Sequence, residues 1–112
     1  MSESEPDTVH EWDARARAHP HGVRIQDETL REGLQSPFAA DPDQESKVAL
    51  LMLMERLGIE HASVGIPVVG AEARDAALRL CREIEQQRLR LRPNAGGRTA
   101  EPDVRAILDL VE

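Results

Sequence analysis

The sequence is poor in aromatic residues and in cysteine. Its 112 residues include no tyrosine, one tryptophan and one phenylalanine. Because aromatic side chains usually fill much of a small core, their scarcity predicts a core of Leu, Val, Ile, Met and Ala, or a core that is incomplete. The single cysteine, Cys81, excludes an internal disulfide and favours a reducing compartment.

Basic charge and long apolar runs are also scarce. The chain has 21 Asp and Glu against 14 Lys and Arg, a net charge of −7, which argues against binding to nucleic acid or to an anionic membrane surface. Residues 1–12 are acidic and polar, unlike a signal peptide. The longest apolar run, residues 48–54, is far too short to span a bilayer. We therefore expect a cytoplasmic protein with no nucleic-acid or membrane partner.

The chain divides into a lead-in and a patterned body. Residues 1–21 are rich in Ser, Glu, Asp and Pro, which predicts a flexible N-terminal segment. Residues 22–112 alternate between strand and helix patterns. The predicted strands are 22–27, 59–68 and 88–94, and the predicted helices are 41–58, 70–87 and 101–112. This order predicts an α/β fold with parallel strands joined by right-handed crossovers.

The first predicted helix has the clearest signals at its two ends. Asp41 is predicted to cap it, Pro42 suits the first helical position, and Gly58 suits a left-handed stop. In the second helix, Cys81 lies on the apolar face, which predicts a buried, unreactive thiol.

Three glycine-containing loops follow the three predicted strands. They read DETLREG (27–33), GIPVVG (65–70) and NAGGR (94–98). Ligand sites of parallel α/β units collect beyond the carboxyl ends of the strands. The sequence therefore predicts a functional site where these loops meet.

The first loop carries a family resemblance. DETLREGLQSP, followed by a capped helix and LGIEHASVGIP, resembles the start of the metal-dependent acyltransferase and lyase superfamily, which includes 2-isopropylmalate synthase, homocitrate synthase and hydroxymethylglutaryl-CoA lyase. The pattern of that family is Asp-x-Thr-Leu-Arg-Asp/Glu-Gly-x-Gln, and it is matched by Asp27, Thr29, Leu30, Arg31, Glu32, Gly33 and Gln35. The resemblance covers residues 22–112 and implies a (β/α)8 TIM barrel of the pyruvate carboxyltransferase type, of which about the first three units are present.

The resemblance also implies roles for three residues. Glu32 takes the place of a ligand to a divalent metal (Mg, Mn or Zn), since hard cations prefer carboxylate oxygen. Arg31 takes the place of the arginine that contacts the 2-oxo acid and stabilises the developing oxygen charge. Gln35 would lie near the acceptor site. The implied reaction condenses acetyl-CoA with a 2-oxo acid and then hydrolyses the thioester.

Several features depart from the family pattern. Many members carry a glutamate on the second strand, where this chain has Ser63 and Val64. The late His-x-His metal pair of the family has no counterpart after the motif, because His19 and His21 precede it. A whole barrel needs about 250 residues. We therefore expect an N-terminal piece, from a truncated gene, a gene fragment or an incomplete record, that is inactive alone and has an open third-strand edge.

Three other interpretations stay open. Leu34 gives the GLQ sequence of the lyase branch, so a carbon–carbon lyase or aldolase fragment is one alternative. A non-catalytic interaction module is another, pairing with itself as a homo-oligomer or with another barrel piece through the open edge. Arg31 and Glu32 could also be solvated charges on a surface loop.

Overall fold

Three strand–helix units make up residues 22–111, the part of the chain that the computed structural model describes. The strands are β1 (Gln26–Asp27), β2 (His61–Ser63) and β3 (Arg92–Asn94), and the helices are α1 (Gln44–Leu57), α2 (Ala71–Gln86) and α3 (Glu101–Leu108). The predicted flexible segment 1–21, with His19 and His21, lies outside the described residues. No helix in residues 22–111 is long and apolar enough to cross a membrane.

The strands form one parallel sheet in the order β1–β2–β3. Ala62 is in register with Asp27 on one side and with Pro93 on the other. Each pair of strands is joined through a helix, so the predicted α/β fold is confirmed. A (β/α)8 barrel is built from consecutive parallel strand–helix units of this kind.

Helix α1 begins two residues later than its sequence signals predict. Asp43, not Asp41, is the N-cap, and its Oδ1 accepts a hydrogen bond from the backbone N–H of Ser46 at 2.7 Å. Asp41 instead contacts Lys47 Nζ at 2.9 Å, and Pro42 precedes the cap rather than opening the helix. The sequence has an aspartate on each side of the proline, and both are good N-cap residues. Only the hydrogen bond seen in the structure shows which of them caps the helix.

All three strands are shorter than predicted: β1 and β2 cover only Gln26–Asp27 and His61–Ser63, and Pro67–Val69 forms a 3-10 turn. The third strand shows a physical reason for the difference. The alternating pattern in residues 88–94 predicts a strand throughout, but β3 covers only Arg92–Asn94. Arg88 adopts a left-handed conformation with φ 52°, and the backbone N–H groups of Arg90 and Leu91 donate to the carboxylate of Glu55 at 3.1 and 2.9 Å. A side chain 35 residues away therefore satisfies the donors that a longer strand would use.

An aliphatic core lies between the sheet and the helices, as the composition predicts. Its buried hydrophobic residues are Leu30, Leu51, Met54, Ala62, Val64, Ala77, Leu80, Ile84 and Leu91. Phe38 is 96% exposed and takes no part in it. Cys81 is half-buried against this core, and burial raises the pKa of its thiol. A raised pKa disfavours the reactive thiolate, in agreement with the predicted unreactive thiol.

Candidate functional site

The DETLREG loop turns sharply where β1 ends. Asp27 Oδ1 accepts a hydrogen bond from the backbone N–H of Thr29 at 2.8 Å, a local turn typical of aspartate. Leu30 is buried in the core and anchors the loop. A 3-10 turn, Gly33–Gln35, follows. One buried side chain therefore fixes a segment whose other side chains are mostly polar.

Two carboxylates hold the guanidinium of Arg31. Its Nε donates to Glu28 Oε2 at 2.7 Å, and its Nη2 lies 3.5 Å from Glu32 Oε1. The Arg31 side chain is 24% exposed. The hydrogen bond to Glu28 raises the pKa of Arg31 against the effect of partial burial, so the group stays charged. Arg31 is thus an oriented cation rather than a freely solvated surface charge.

Glu28 is the partner that the sequence motif did not reveal. Burial raises the pKa of its carboxyl, but hydrogen bonds from Gln26 and Arg31 and the charge of Arg31 outweigh this effect and lower the pKa overall. The signal was present in the sequence, since Glu28 and Arg31 are three residues apart. The spacing alone did not show that the two side chains form an ion pair, and the turn in the structure brings them together.

Ser63 lies beside Glu28 on the neighbouring strand. The register pairs Asp27 with Ala62, so the next residues along, Glu28 and Ser63, are adjacent. Because successive side chains of a strand point to opposite faces, Ser63 points away from the face on which Ala62 packs. Ser63 is 1% exposed. Its hydroxyl lies close enough to the Glu28 carboxylate to help lower the pKa of that group, although the two atoms do not meet the geometry of a good hydrogen bond within residues 22–111. The position that departs from the family pattern is therefore a buried hydroxyl.

Glu32 and Gln35 are more exposed than Arg31. The Glu32 side chain is 66% exposed, and its carboxylate contacts Arg31. In residues 22–111 no group of three His, Cys, Asp or Glu side chains is placed to hold a metal ion. Glu32 offers one oxygen ligand, but the described residues do not fit a complete metal site.

Arg31 lines two pockets. The first, of about 390 Å³, lies between the DETLREG loop and α2, and its lining includes Arg31, Leu34 and Gln35. The second, called here the loop pocket, has a volume of about 500 Å³. The loop pocket is lined by Arg31, Ile66, Val68, Val69, Gly96, Gly97, Arg98 and Asp103.

The three predicted loops do meet at this edge of the sheet. The backbone N–H of Gly96, after β3, donates to the carbonyl of Gly65, after β2, at 2.8 Å. A Cβ on Gly96 would lie 2.8 Å from Arg31 Cδ, so the β3 loop also touches the β1 loop. The absence of a side chain at Gly96 allows this approach, and the sequence could not show which glycine makes it.

An ion pair between Arg98 and Asp103 lines the loop pocket. Asp103 is 1% exposed, and its carboxylate accepts hydrogen bonds from the Arg98 backbone N–H at 2.9 Å and from Arg98 Nε and Nη2 at 3.1 and 2.9 Å. The side-chain and backbone hydrogen bonds from Arg98 lower the pKa of Asp103 against the effect of burial. The β3 loop is thereby fastened to the first turn of α3.

Comparisons with known proteins point to two synthases. The chain is 37% identical over 65 residues, 57% of its length, to a homocitrate synthase of Methanopyrus kandleri. It is 41% identical over 49 residues, 44% of its length, to a 2-isopropylmalate synthase of Sediminispirochaeta smaragdinae. The chain spans 16% of the first relative and 10% of the second. No protein-family model matches the chain.

Proposed function

We propose that residues 22–111 are the first three units of a barrel acyltransferase that condenses acetyl-CoA with a 2-oxo acid. The main support for this proposal is the position of the Arg31 guanidinium where all three loops meet. Its Nε donates a hydrogen bond of 2.7 Å to Glu28, which orients the group. The partial matches to two synthases support membership of the same superfamily. Since the chain spans a small share of both relatives, the proposed activity belongs to a completed barrel.

In this proposal Arg31 binds the oxygens of the 2-oxo acid. A planar guanidinium matches a carboxylate or a carboxylate and its adjacent carbonyl. After a base removes a proton from the methyl group of acetyl-CoA, the resulting enolate carbon adds to the 2-oxo carbon and negative charge develops on the former carbonyl oxygen. A fixed cation stabilises that charge without reorganising. In the same proposal Gln35, which lines the first pocket together with Arg31, donates an amide hydrogen bond to the substrate.

Glu32 is proposed as one ligand of a divalent cation whose other ligands come from outside the described residues. Titration of the chain with Mg²⁺, Mn²⁺ or Zn²⁺ should give weak or no binding, since one exposed carboxylate holds a cation poorly. A completed chain should bind the metal with micromolar or better affinity and turn over acetyl-CoA. A tight site in the present chain that survives Glu32→Ala would contradict this assignment.

Titration with 2-oxo acids tests the role of Arg31 directly. The 112-residue chain should bind a 2-oxo acid weakly, as followed by changes in the NMR spectrum of the ¹⁵N-labelled protein. Arg31→Ala should abolish binding, and Arg31→Lys should weaken it because a point charge cannot form two parallel hydrogen bonds. The matched control is Arg56→Ala, at an exposed arginine of α1. Equal binding by Arg31→Ala and wild type would refute the role.

A second candidate function is an interaction module. Within residues 22–111 the strand β3 pairs only with β2, and α3, the helix that follows it in sequence, exposes Val104 and Leu108. An open strand edge next to apolar helix surface is suited to pairing with another strand–helix unit. Light scattering at several concentrations distinguishes a self-associating chain from a monomer, and a monomer that binds 2-oxo acids favours the first candidate.

A further inference from the structure

The face of the sheet that points away from the helices, called here the inner face, carries polar side chains. Ala62 and Val64 pack in the core on the helix side, so the alternation of side chains along β2 places His61 and Ser63 on the inner face. Parallel strands buried on both faces are usually almost continuously aliphatic. A polar group in such a place is costly unless it is hydrogen-bonded, which indicates that these side chains have polar partners.

Glu28 is an acceptor shared by several donors on the inner face. Gln26 is in register with His61, so the two side chains lie on the same face. Gln26 Nε2 donates a hydrogen bond to Glu28 Oε1, and Arg31 Nε donates to Glu28 Oε2 at 2.7 Å. The two oxygens of the carboxylate are therefore held from two directions, by β1 and by the loop that follows it.

Ser63 offers Glu28 a third donor, from the neighbouring strand. It is 1% exposed, and its hydroxyl lies close to the Glu28 carboxylate without the geometry of a good hydrogen bond. Within residues 22–111 this hydroxyl has no other partner. Because a hydroxyl hydrogen can rotate toward an acceptor, a small adjustment allows Ser63 to donate to Glu28.

We infer that Gln26 and Ser63 are positioning residues, which hold Glu28 in the orientation from which it directs Arg31. Donors on both oxygens restrict the rotation of a carboxylate, and a binding group is precise only when its supporting side chains are fixed in this way. The inference rests on the proposed function only in that Arg31 is taken to bind the substrate. Neither positioning residue touches the substrate in this scheme.

A purely structural role for Ser63 predicts a different response to its removal. A buried hydroxyl without a partner is unfavourable, so Ser63→Ala would then leave the free energy of unfolding unchanged or raise it. The contact between Glu28 and Arg31 would not respond. If Ser63 holds Glu28, its removal frees the carboxylate on the side of β2, and Arg31 becomes less ordered.

The test removes one donor at a time and follows Arg31. Ser63→Ala and Gln26→Leu should both shift the Arg31 Nε–H signal in the NMR spectrum of the ¹⁵N-labelled chain and speed its exchange with solvent. Affinity for a 2-oxo acid should fall about two- to tenfold, which corresponds to one hydrogen bond of typical net strength. Ser63→Thr keeps the hydroxyl and should behave like wild type.

Matched controls make the same substitutions elsewhere. Ser36→Ala and Gln86→Leu change exposed residues and should leave the Arg31 signal, its exchange and the affinity unchanged. Gln26 is also exposed, so Gln26→Leu still tests the inference if a substitution at the buried Ser63 prevents folding.

The Arg31 signal separates this inference from the proposed function, because it is measured without substrate. If the signal in Ser63→Ala or Gln26→Leu matches that of wild type, the positioning role of that residue is overturned, whether or not a 2-oxo acid binds. A folded Ser63→Thr that behaves like Ser63→Ala also counts against the role of the hydroxyl. If wild type binds no 2-oxo acid, the proposed function fails, while a changed signal in both variants still supports their hold on Glu28.

Discussion

A single methyl group at Gly96 should displace Arg31. The Cβ of Gly96→Ala would lie 2.8 Å from Arg31 Cδ and 3.2 Å from Ile66 Cγ1. Carbon atoms pack favourably at about 3.5–4.0 Å, so the Arg31 side chain must move by about 1 Å. A movement of that size is enough to weaken or break the 2.7 Å hydrogen bond between Arg31 Nε and Glu28, because hydrogen bonds weaken steeply beyond about 3.2 Å.

Gly96→Ala should weaken substrate binding more than it lowers the free energy of unfolding. Overpacking costs about 1–3 kcal/mol, and the low end applies because the displaced atoms belong to a flexible side chain. Affinity for a 2-oxo acid should fall at least about tenfold, since a 1 Å misplacement of a binding group is costly. Urea unfolding and NMR titration measure the two effects. Gly22→Ala is the control, because nothing lies within 4 Å of its added Cβ.

Unchanged binding by Gly96→Ala would refute this reasoning. It would mean that the contact between the β3 loop and Arg31 does not fix the guanidinium. A loss of affinity in both Gly96→Ala and Gly22→Ala would also count against it, because the effect would then not come from the contact. The side-chain Nε–H signal of Arg31 gives a direct readout, and its shift should change only in Gly96→Ala.

Three further predictions concern the fold and its pH dependence. Leu51→Ala, at a fully buried position, should lower the free energy of unfolding by about 2–5 kcal/mol, whereas Leu57→Ala, at an 80% exposed position, should change it by less than about 0.5 kcal/mol. Gly58→Ala should cost about 1–2 kcal/mol because Gly58 has φ 81°; restored stability in Gly58→Asn relative to alanine would confirm the cause. The lowered pKa of Glu28 means that its ionised form stabilises the fold above its ordinary value of 4.5, and that this contribution is lost as the pH falls through the lowered value. The stability difference between wild type and Glu28→Gln should therefore be constant well above pH 4.5 and shrink as the pH falls through and below this value, and a difference that does not shrink on acidification would contradict the ion pair with Arg31.

The elements that follow from local pattern were predictable. Helix α1 has apolar residues at helical spacing and a glycine, Gly58, that does adopt the left-handed stop. The order of strands and helices implied parallel pairing, which the sheet confirms. The errors came where local signals were degenerate, as with two aspartates around Pro42, or where distant contacts intervened, as with Glu55 and the start of β3.

Part of the candidate site could be predicted from the sequence, and part required the structure. The sequence by itself determined the residue types at the end of β1, among them Arg31, Glu32 and Gln35, because a motif is a property of neighbouring residues along the chain. Only the tertiary structure decided that Glu28 orients Arg31 and that Gly96 touches it. The contact between Glu28 and Arg31 depends on the turn that the loop after β1 adopts. The contact between Gly96 and Arg31 depends on how the loops after separate strands pack together, and that distance is set by the whole sheet and its helices rather than by either loop alone.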